Sequence, residues 1–331
     1  MRNVVEHHTG EHWATTLVER LAKVHEEHYS RDTMSIPRLS TTKLLEQYKA
    51  SKKRVFLLDY EGTLASFSNP NNVHLSSPQR VLDTLNTLLS HDSRNIVYVM
   101  SNQSPEVLER LFERVANIGL IAENGCFVRE YGFDEWTPFA DISKMAKWKD
   151  SVKGILKYYE ERVEGSYIEE RHCSLVLHYE NADDKEGASR QAGDCANHIN
   201  DACESQRVHA VPSEKTVLIE QVDLSKGSAA EHIFKELEHG KNGDGGSKPD
   251  FLMVAGDDRE DEVIFRWANG LAKENQVQNV TTVSVGKRNT EAMATLTQGT
   301  TGIHSINQLL QRLTDSSLGL LSVLQKLINK R

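Results

Sequence analysis

The chain has 331 residues with 38% hydrophobic side chains, 26% charged side chains and a net charge of −9, as an ordinary globular protein does. The negative charge argues against nucleic-acid binding, which needs clustered basic residues, and no apolar run reaches the roughly 18 residues of a membrane span. Four cysteines without CxxC spacing predict free thiols, and an N-terminus without an apolar core predicts a cytoplasmic protein. The expected partners are therefore small molecules and other proteins.

Two helical patterns come first along the chain. Apolar residues recur at helical spacing over residues 12–28, and a second, shorter pattern begins near Ser40. Neither stretch contains a chemical motif. Residues 1–50 are predicted to form an N-terminal helical segment that ends a preceding domain.

Strands and helices alternate from residue 54 onward. The run VFLLD at 55–59 has the apolar character of a buried parallel strand and ends in an acid. The run IVYVMS at 96–101 ends in serine, and GLIAENG at 119–125 supplies a third strand, with helical patterns between them. This order predicts an α/β fold with a doubly wound, Rossmann-like parallel sheet.

Over residues 126–222 the predicted helices become longer and the predicted strands more scattered. This change predicts a smaller α/β cap inserted in the sheet. The strand and helix alternation then resumes with FLMVAGDD at 251–258 and TTVSVG at 281–286. The predicted core therefore comprises residues 51–125 and 223–331.

Three of the predicted strands end in acidic or polar side chains. These side chains belong to Asp59, Glu61, Ser101, Asp257, Asp258 and Asp261. In an open α/β sheet, ligands bind beyond the carboxyl ends of the strands, so residues far apart in sequence meet there. Clustered carboxylates suit Mg²⁺, and Lys226 supplies a positive charge for a phosphoryl group. The pattern favours phosphoryl transfer with an aspartate nucleophile, although each part alone also fits a turn, a solvated helix start or an exposed acidic face.

The order DYEGT, strand-ending serine, lone lysine and GDDRED resembles the haloacid-dehalogenase-type phosphatases. The stretches GLIAENGCFVRE, GSYIEERHCSLVLHYENAD, VLIEQVDLSKG and TTVSVGKRNTEAM resemble, more closely, the trehalose-6-phosphate phosphatase domain of fungi. The likeness runs from about residue 50 to about residue 310 and includes the cap. Residues 1–50 are similar to the tail of the glycosyltransferase-like domain that precedes the phosphatase domain in those proteins.

The resemblance implies a role for each site residue. Asp59 would be the nucleophile and a Mg²⁺ ligand, while position 61 would be the general acid and give its backbone carbonyl to the metal. Ser101 would bind a phosphoryl oxygen, and Lys226 would neutralise the phosphoryl group and the nucleophile. The other metal ligands would be Asp257, Asp258 and Asp261. The residues facing the sugar would be Glu123, Asn124, Glu169 and Glu220.

The chain also departs from the family pattern. Position 61 is normally Asp, and one extra methylene in Glu61 moves the carboxyl group by roughly 1 Å, a displacement that can cost about 100-fold in rate. Arginine is replaced by Gln or Glu at three places, and the Thr of the metal motif is Glu260. The replacements fall at Asn102, Gln103, Asn124, Leu177, Glu180, Gln221, Val222 and Glu260. Together they weaken a pocket for a sugar phosphate dianion.

These departures favour a phosphatase-like regulatory or scaffolding subunit of the trehalose synthase/phosphatase complex, with little or no catalysis. Its partners would be trehalose-6-phosphate synthase and phosphatase subunits, with Mg²⁺ as cofactor and trehalose 6-phosphate as a candidate ligand. One alternative is an active Mg²⁺-dependent phosphatase that converts trehalose 6-phosphate and water to trehalose and phosphate through an aspartyl-phosphate on Asp59. Another is a Mg²⁺-dependent phosphatase for a different sugar phosphate.

Overall fold

The structure is a computed structural model that describes residues 18, 21, 36–65, 78–139, 142–213, 215–239, 247–286, 289–296 and 304–316. The helical pattern at 12–28 lies outside these residues except at Val18 and Leu21, so that pattern stays a prediction. Within the described ranges, no helix combines the length and the apolar character needed to cross a membrane.

Strands and helices alternate through most of the described chain. The strands are β1 (Arg54–Asp59), β2 (Asn95–Met100), β3 (Gly119–Ala122), β4 (Phe127–Arg129), β5 (Trp136–Pro138), β6 (Tyr167–Glu170), β7 (Leu175–His178), β8 (Val208–Pro212), β9 (Thr216–Gln221), β10 (Phe251–Gly256), β11 (Asn279–Val285) and β12 (Ala294–Leu296). The helices are α1 (Thr41–Ala50), α2 (Pro78–His91), α3 (Pro105–Phe112), α4 (Ile142–Glu160), α5 (Lys185–Ala202), α6 (Lys226–His239), α7 (Asp261–Lys273) and α8 (304–316).

The larger sheet has eight strands in the order β12-β11-β10-β1-β2-β3-β4-β5. The pairs from β12 to β3 are parallel, and every residue of β1, β2 and β10 is buried because helices cover both faces. The predicted doubly wound parallel sheet is therefore confirmed. Since β1 lies between β10 and β2, the residues that follow these three strands meet at one edge of the sheet.

The smaller sheet is antiparallel, with the order β6-β7-β9-β8, and helices α4 and α5 pack with it. We call residues 142–221 the cap and the parts with the larger sheet the core. The sequence prediction placed residues 126–141 in the cap as well. That part is wrong for β4 and β5, which pair antiparallel with β3 and extend the larger sheet. These strands have three residues each, too few to show a readable alternation.

Helix α1 is anchored to the core through a buried polar network. Arg54, at the start of β1, is 1% exposed and donates to Asp92 at 2.8 Å and to Asn95 at 3.1 Å. Its guanidinium also lies 3.8 Å from the ring centroid of Tyr48 in α1. Asn95 donates in turn to the Tyr48 hydroxyl at 2.9 Å. The network therefore joins α1, β1 and the start of β2.

Candidate functional site

Lys226 lies between two carboxylates at the centre of the site. It is the first residue of α6, and its Nζ donates to Asp59 Oδ1 at 2.7 Å and to Asp261 Oδ1 at 2.9 Å. All three side chains are buried. Burial alone lowers the pKa of Lys226, but Asp261 and Asp59 raise it well above its ordinary value. Burial and the charge of Asp261 raise the pKa of Asp59, and Lys226 opposes them.

The loop after β10 folds around the carboxylate of Asp261. Asp261 Oδ2 accepts from the backbone N–H groups of Asp257, at 2.9 Å, and Asp258, at 3.2 Å. Asp258 Oδ1 accepts from the N–H groups of Glu260, at 2.9 Å, and Asp261, at 3.3 Å, at the start of α7. Asp258 therefore helps to cap the helix, as acidic side chains near helix N-termini commonly do.

Gly62 brings the backbone after β1 against the Asp257 carboxylate. Its φ of +82° lies in the left-handed region, and a Cβ at this position would lie 2.2 Å from Asp257 Oδ2. Thr63, the next residue, donates to Asp257 Oδ1 at 3.5 Å. Thr63 was not among the predicted site residues, although it lies within the DYEGT motif. Only glycine allows this close approach.

Three of the predicted metal residues offer a cation site. Carboxylate oxygens of Asp59, Asp257 and Asp261 lie within 4.8 Å of one another. An all-oxygen carboxylate set fits a hard divalent cation such as Mg²⁺. The carboxylates of Glu61 and Asp258 are not part of this group among the described residues.

Glu61 contacts Ser101, the residue at the end of the neighbouring strand. Ser101 Oγ donates to Glu61 Oε1 at 2.6 Å and accepts from the backbone N–H of Gln103 at 3.0 Å. The single hydroxyl proton of Ser101 is thereby used. Burial raises the pKa of Glu61, while the Ser101 hydrogen bond and Lys226 oppose the increase.

Glu260, where the family has Thr, adds a carboxylate beside the cluster. Burial raises the pKa of Glu260 to about 7, with Lys226 opposing and Asp258 and Glu220 adding to the rise. Glu220 is part of β9, so the cap reaches the edge of this cluster. The carboxyl group expected at position 260 thus lies close to the cation site, but with a pKa of about 7 it is only partly charged near neutral pH.

The predicted sugar-facing residue Glu123 joins the core to the cap. It follows β3, and its carboxylate accepts from His172 N at 3.2 Å, His172 Nδ1 at 2.7 Å and Cys173 N at 2.8 Å. His172 and Cys173 lie in the turn between β6 and β7. Both oxygens of Glu123 are therefore used by the cap.

The other predicted sugar-facing residues also have protein partners. Glu169 accepts from Arg171 at 2.8 and 3.1 Å and from His178 Nε2 at 2.7 Å. These bonds, that of His178 first, lower the pKa of Glu169 to about 2. Asn124 donates to Glu220 at 3.4 Å. A cleft of about 510 Å³ is lined by Glu123 and Glu169 but not by Asn124 or Glu220.

Arg171 is a site residue that the sequence prediction missed. Besides its bonds to Glu169, its Nη1 donates to the Asn102 carbonyl at 3.2 Å and so links the cap to the loop after β2. It lies in the same cleft as Glu123. The sequence signal that could have identified Arg171 was its place as the one basic residue of the stretch IEER at 168–171. The cleft therefore keeps one guanidinium despite the arginines lost elsewhere.

The sequence model of the trehalose-phosphatase family matches residues 57–299 of this chain. The 100 kDa subunit of a putative UDP-forming alpha,alpha-trehalose-phosphate synthase from Schizosaccharomyces pombe is 32% identical over 296 residues, which are 88% of this chain and 32% of the relative. A trehalose-phosphatase from the same yeast is 30% identical over 279 residues, 84% of this chain and 32% of the relative. The chain thus spans about a third of the length of these relatives.

Solved structures share the fold. The C-terminal domain of a Candida albicans trehalose-6-phosphate phosphatase is 29% identical, with a TM-score of 0.73 over 85% of this chain and 99% of that one. The C-terminal domain of a Candida albicans trehalose synthase regulatory protein has a TM-score of 0.71 at 21% identity, over 85% and 100% of the two chains. Because the family model covers most of this chain and its site lies at the expected sheet edge, the chain belongs to the trehalose-phosphatase family.

Proposed function

We propose that this chain is a phosphatase-like domain with a regulatory or scaffolding role in trehalose biosynthesis, with little or no hydrolysis of its own. The observation that carries the proposal is the 2.6 Å hydrogen bond from Ser101 to Glu61. It joins the residue expected to bind a phosphoryl oxygen to the residue expected to act as general acid. Each is then engaged by the other instead of by a substrate.

Reach, rather than proton affinity, limits Glu61 in this proposal. A general acid needs a pKa near the working pH and a carboxyl group within hydrogen-bond distance of the leaving oxygen. Burial raises the pKa of Glu61, so the first condition is favoured. The second is not, because the longer side chain directs its carboxyl group to Ser101.

The cation site belongs to the same proposal. Asp59, Asp257 and Asp261 are the residues that would hold Mg²⁺, which would supply positive charge to neutralise phosphoryl oxygens. Lys226 donates to two of these carboxylates, those of Asp59 and Asp261, and so helps to hold them in place. We therefore expect the chain to bind the cation even though it hydrolyses little or no substrate.

Weak sugar binding follows from the partners of Glu123 and Glu169. A sugar hydroxyl would have to displace His172 and Cys173 from Glu123, or Arg171 and His178 from Glu169. Each displaced donor would lose its carboxylate partner at a buried or half-buried position, and leaving such a group unpaired is unfavourable. Trehalose 6-phosphate is therefore a weak ligand of this chain in the proposal.

The names of the relatives support a subunit role. Relatives from Schizosaccharomyces pombe are named as the 100 kDa and 106 kDa subunits of putative trehalose-phosphate synthases. We infer that the protein containing this chain assembles with trehalose-6-phosphate synthase and phosphatase subunits in the cytoplasm. The four cysteines, all free, are compatible with that compartment.

The substitution Glu61→Asp tests the proposal. Shortening the side chain withdraws the carboxyl group from Ser101, so we expect trehalose 6-phosphate hydrolysis to rise by about 10- to 100-fold over the wild type. Glu164→Asp, the same change at an exposed position of the cap, is the matched control and should leave hydrolysis unchanged. Full family-like turnover in the wild type, unchanged by Glu61→Asp, would favour the active phosphatase instead.

A further inference from the structure

Two buried cysteines face each other where the cap meets the core. Cys126 follows the turn Glu123–Gly125 after β3, and Cys173 lies in the β6–β7 turn of the cap. They are 5% and 1% exposed and belong to the same cluster of buried side chains, and the nearby Cys173 thiol raises the pKa of Cys126. Neither residue takes part in the cation site or in the Glu61–Ser101 contact.

Contacts on both sides of the pair hold the cap turn against the core. Glu123, three residues before Cys126, accepts from the backbone N–H of Cys173 at 2.8 Å. Phe127, the residue after Cys126, lies with its ring centroid 5.5 Å from that of His172, the residue before Cys173. The two flanking contacts fix the register in which Cys126 meets Cys173.

Lys149 fixes the cap turn from within the cap. This α4 side chain is 5% exposed, and its Nζ donates to the carbonyl oxygens of Arg171 and His172, the latter at 2.7 Å. The carbonyl groups of the turn are therefore held by Lys149, while its N–H groups are held by Glu123. The Cys173 side chain is buried in the same cluster as Cys126.

We propose that Cys126 and Cys173 form a disulfide when the protein meets an oxidant, and that this bond locks the cap onto the core. The oxidant is a low-molecular-weight disulfide such as oxidised glutathione. One protein thiolate attacks it and forms a mixed disulfide with release of one small thiol. The second protein thiolate then attacks the mixed disulfide, which forms the Cys126–Cys173 bond and releases the second small thiol. Two protein thiols are oxidised and one small disulfide is reduced.

Opening of the cap controls the reaction. In the docked state the thiols are buried, and the pKa of Cys126 is raised by the nearby Cys173 thiol and by burial, so attack on an external disulfide is slow. Separation of the β6–β7 turn from Glu123 exposes both thiols, and closure brings them together again. The disulfide would therefore trap the closed arrangement.

The test uses the intact protein in glutathione buffers of increasing oxidised fraction. Remaining thiols are alkylated, the protein is digested, and disulfide-linked peptides are identified by mass spectrometry. We expect two of the four thiols to be lost and one cross-linked peptide that joins Cys126 to Cys173. The absence of that peptide after full oxidation, or a bond between a different pair, would overturn the proposal.

Two of the cysteines provide matched controls. Cys126→Ser and Cys173→Ser should each prevent the cross-link, whereas Cys195→Ser and Cys203→Ser, at buried positions within the cap, should leave it intact. A second measurement uses the wild-type protein alone. It follows hydrogen exchange at the backbone amides of His172 and Cys173. Oxidation should slow this exchange, because the amides are released from Glu123 only when the cap opens. An unchanged exchange rate in fully cross-linked protein would show that the bond does not lock the cap.

Discussion

At the scale of single residues, Lys226 partly neutralises the cluster of carboxylates around it. Its one charge is shared between Asp59 and Asp261, while Asp257, Asp258 and Glu260 lie nearby. Burial first, and then the neighbouring carboxylates, raise the pKa values of Asp59, Asp258 and Glu260, and Lys226 opposes the rise in each case. A divalent cation would relieve the remaining repulsion.

Magnesium should therefore stabilise the protein. We expect the free energy of unfolding to rise with Mg²⁺, by about 2.7 kcal/mol at 100 times the dissociation constant, as for any ligand of the folded state. Asp257→Asn should abolish most of the increase, and Asp201→Asn, on the exposed end of α5, should not. Denaturant unfolding at increasing Mg²⁺ measures the effect. If millimolar Mg²⁺ left the free energy of unfolding of the wild type unchanged, that result would contradict the cation site.

The sequence indicated which residues gather at the site, but not how they pair. Strand order and apolar runs place Asp59, Ser101 and Asp257 at one sheet edge whatever their rotamers are. The hydrogen bond between Ser101 and Glu61 depends on side-chain conformation, which spacing does not encode. The bonds of Glu123 depend on how a cap turn docks on the core, which is a long-range property.

At the scale of elements, strand burial decided what could be predicted. Strands β1, β2 and β10 are buried on both faces, so each is a continuous apolar run that a sequence reveals directly. Strands β4 and β5 have three residues each and are partly exposed, so no pattern marks them. The buried network of Arg54 and Asp92 could not be predicted from the sequence either, because its partners come from separate elements.

Asp92 should be important for stability through this network. Burial would raise its pKa, but hydrogen bonds from Arg94 and Arg54 lower it well below the ordinary value. Asp92→Asn leaves the buried Arg54 without its anion, which we expect to cost about 3–5 kcal/mol in the free energy of unfolding at pH 7. Asp83→Asn, at an exposed position of α2, should change the free energy by less than about 0.5 kcal/mol.

The pH dependence provides a check on Asp92. Because the folded-state pKa is depressed, the stabilisation is present above the ordinary Asp pKa and is lost as the pH falls toward the folded-state value. The difference between wild type and Asp92→Asn should therefore shrink below about pH 4. Denaturant unfolding from pH 7 down to the acid limit measures it. A difference that is constant with pH would contradict a charged Asp92.

At the scale of the whole molecule, the cap is docked on the core through residues that the family resemblance assigns to the sugar. Glu123 accepts from the cap turn, Arg171 donates to the Asn102 carbonyl, and Asn124 donates to Glu220. In the proposed function, a sugar would therefore compete with cap docking for Glu123, Asn124 and Glu220. The sequence predicted an inserted module, but the extent of its docking follows only from the folded chain.

A subunit role makes a prediction about assembly. The full-length protein that contains this chain should co-purify with a trehalose-6-phosphate synthase subunit, because scaffolding depends on surfaces and not on the site. Asp59→Asn should co-purify equally well, since it removes the proposed nucleophile, which is buried, and leaves the surface unchanged. Affinity purification of each tagged form, followed by mass spectrometry of its partners, measures this. A protein recovered without any synthase subunit would contradict the scaffolding role.

The turnover number of the wild type with trehalose 6-phosphate tests the central claim most directly. It should be measured by phosphate release at saturating Mg²⁺, with Asp59→Asn as the background and the Candida albicans trehalose-6-phosphate phosphatase domain as the reference. Our account predicts release close to the Asp59→Asn background, far below the roughly 1–10³ s⁻¹ typical of enzymes. A wild-type value within that range would contradict the account and identify an active phosphatase.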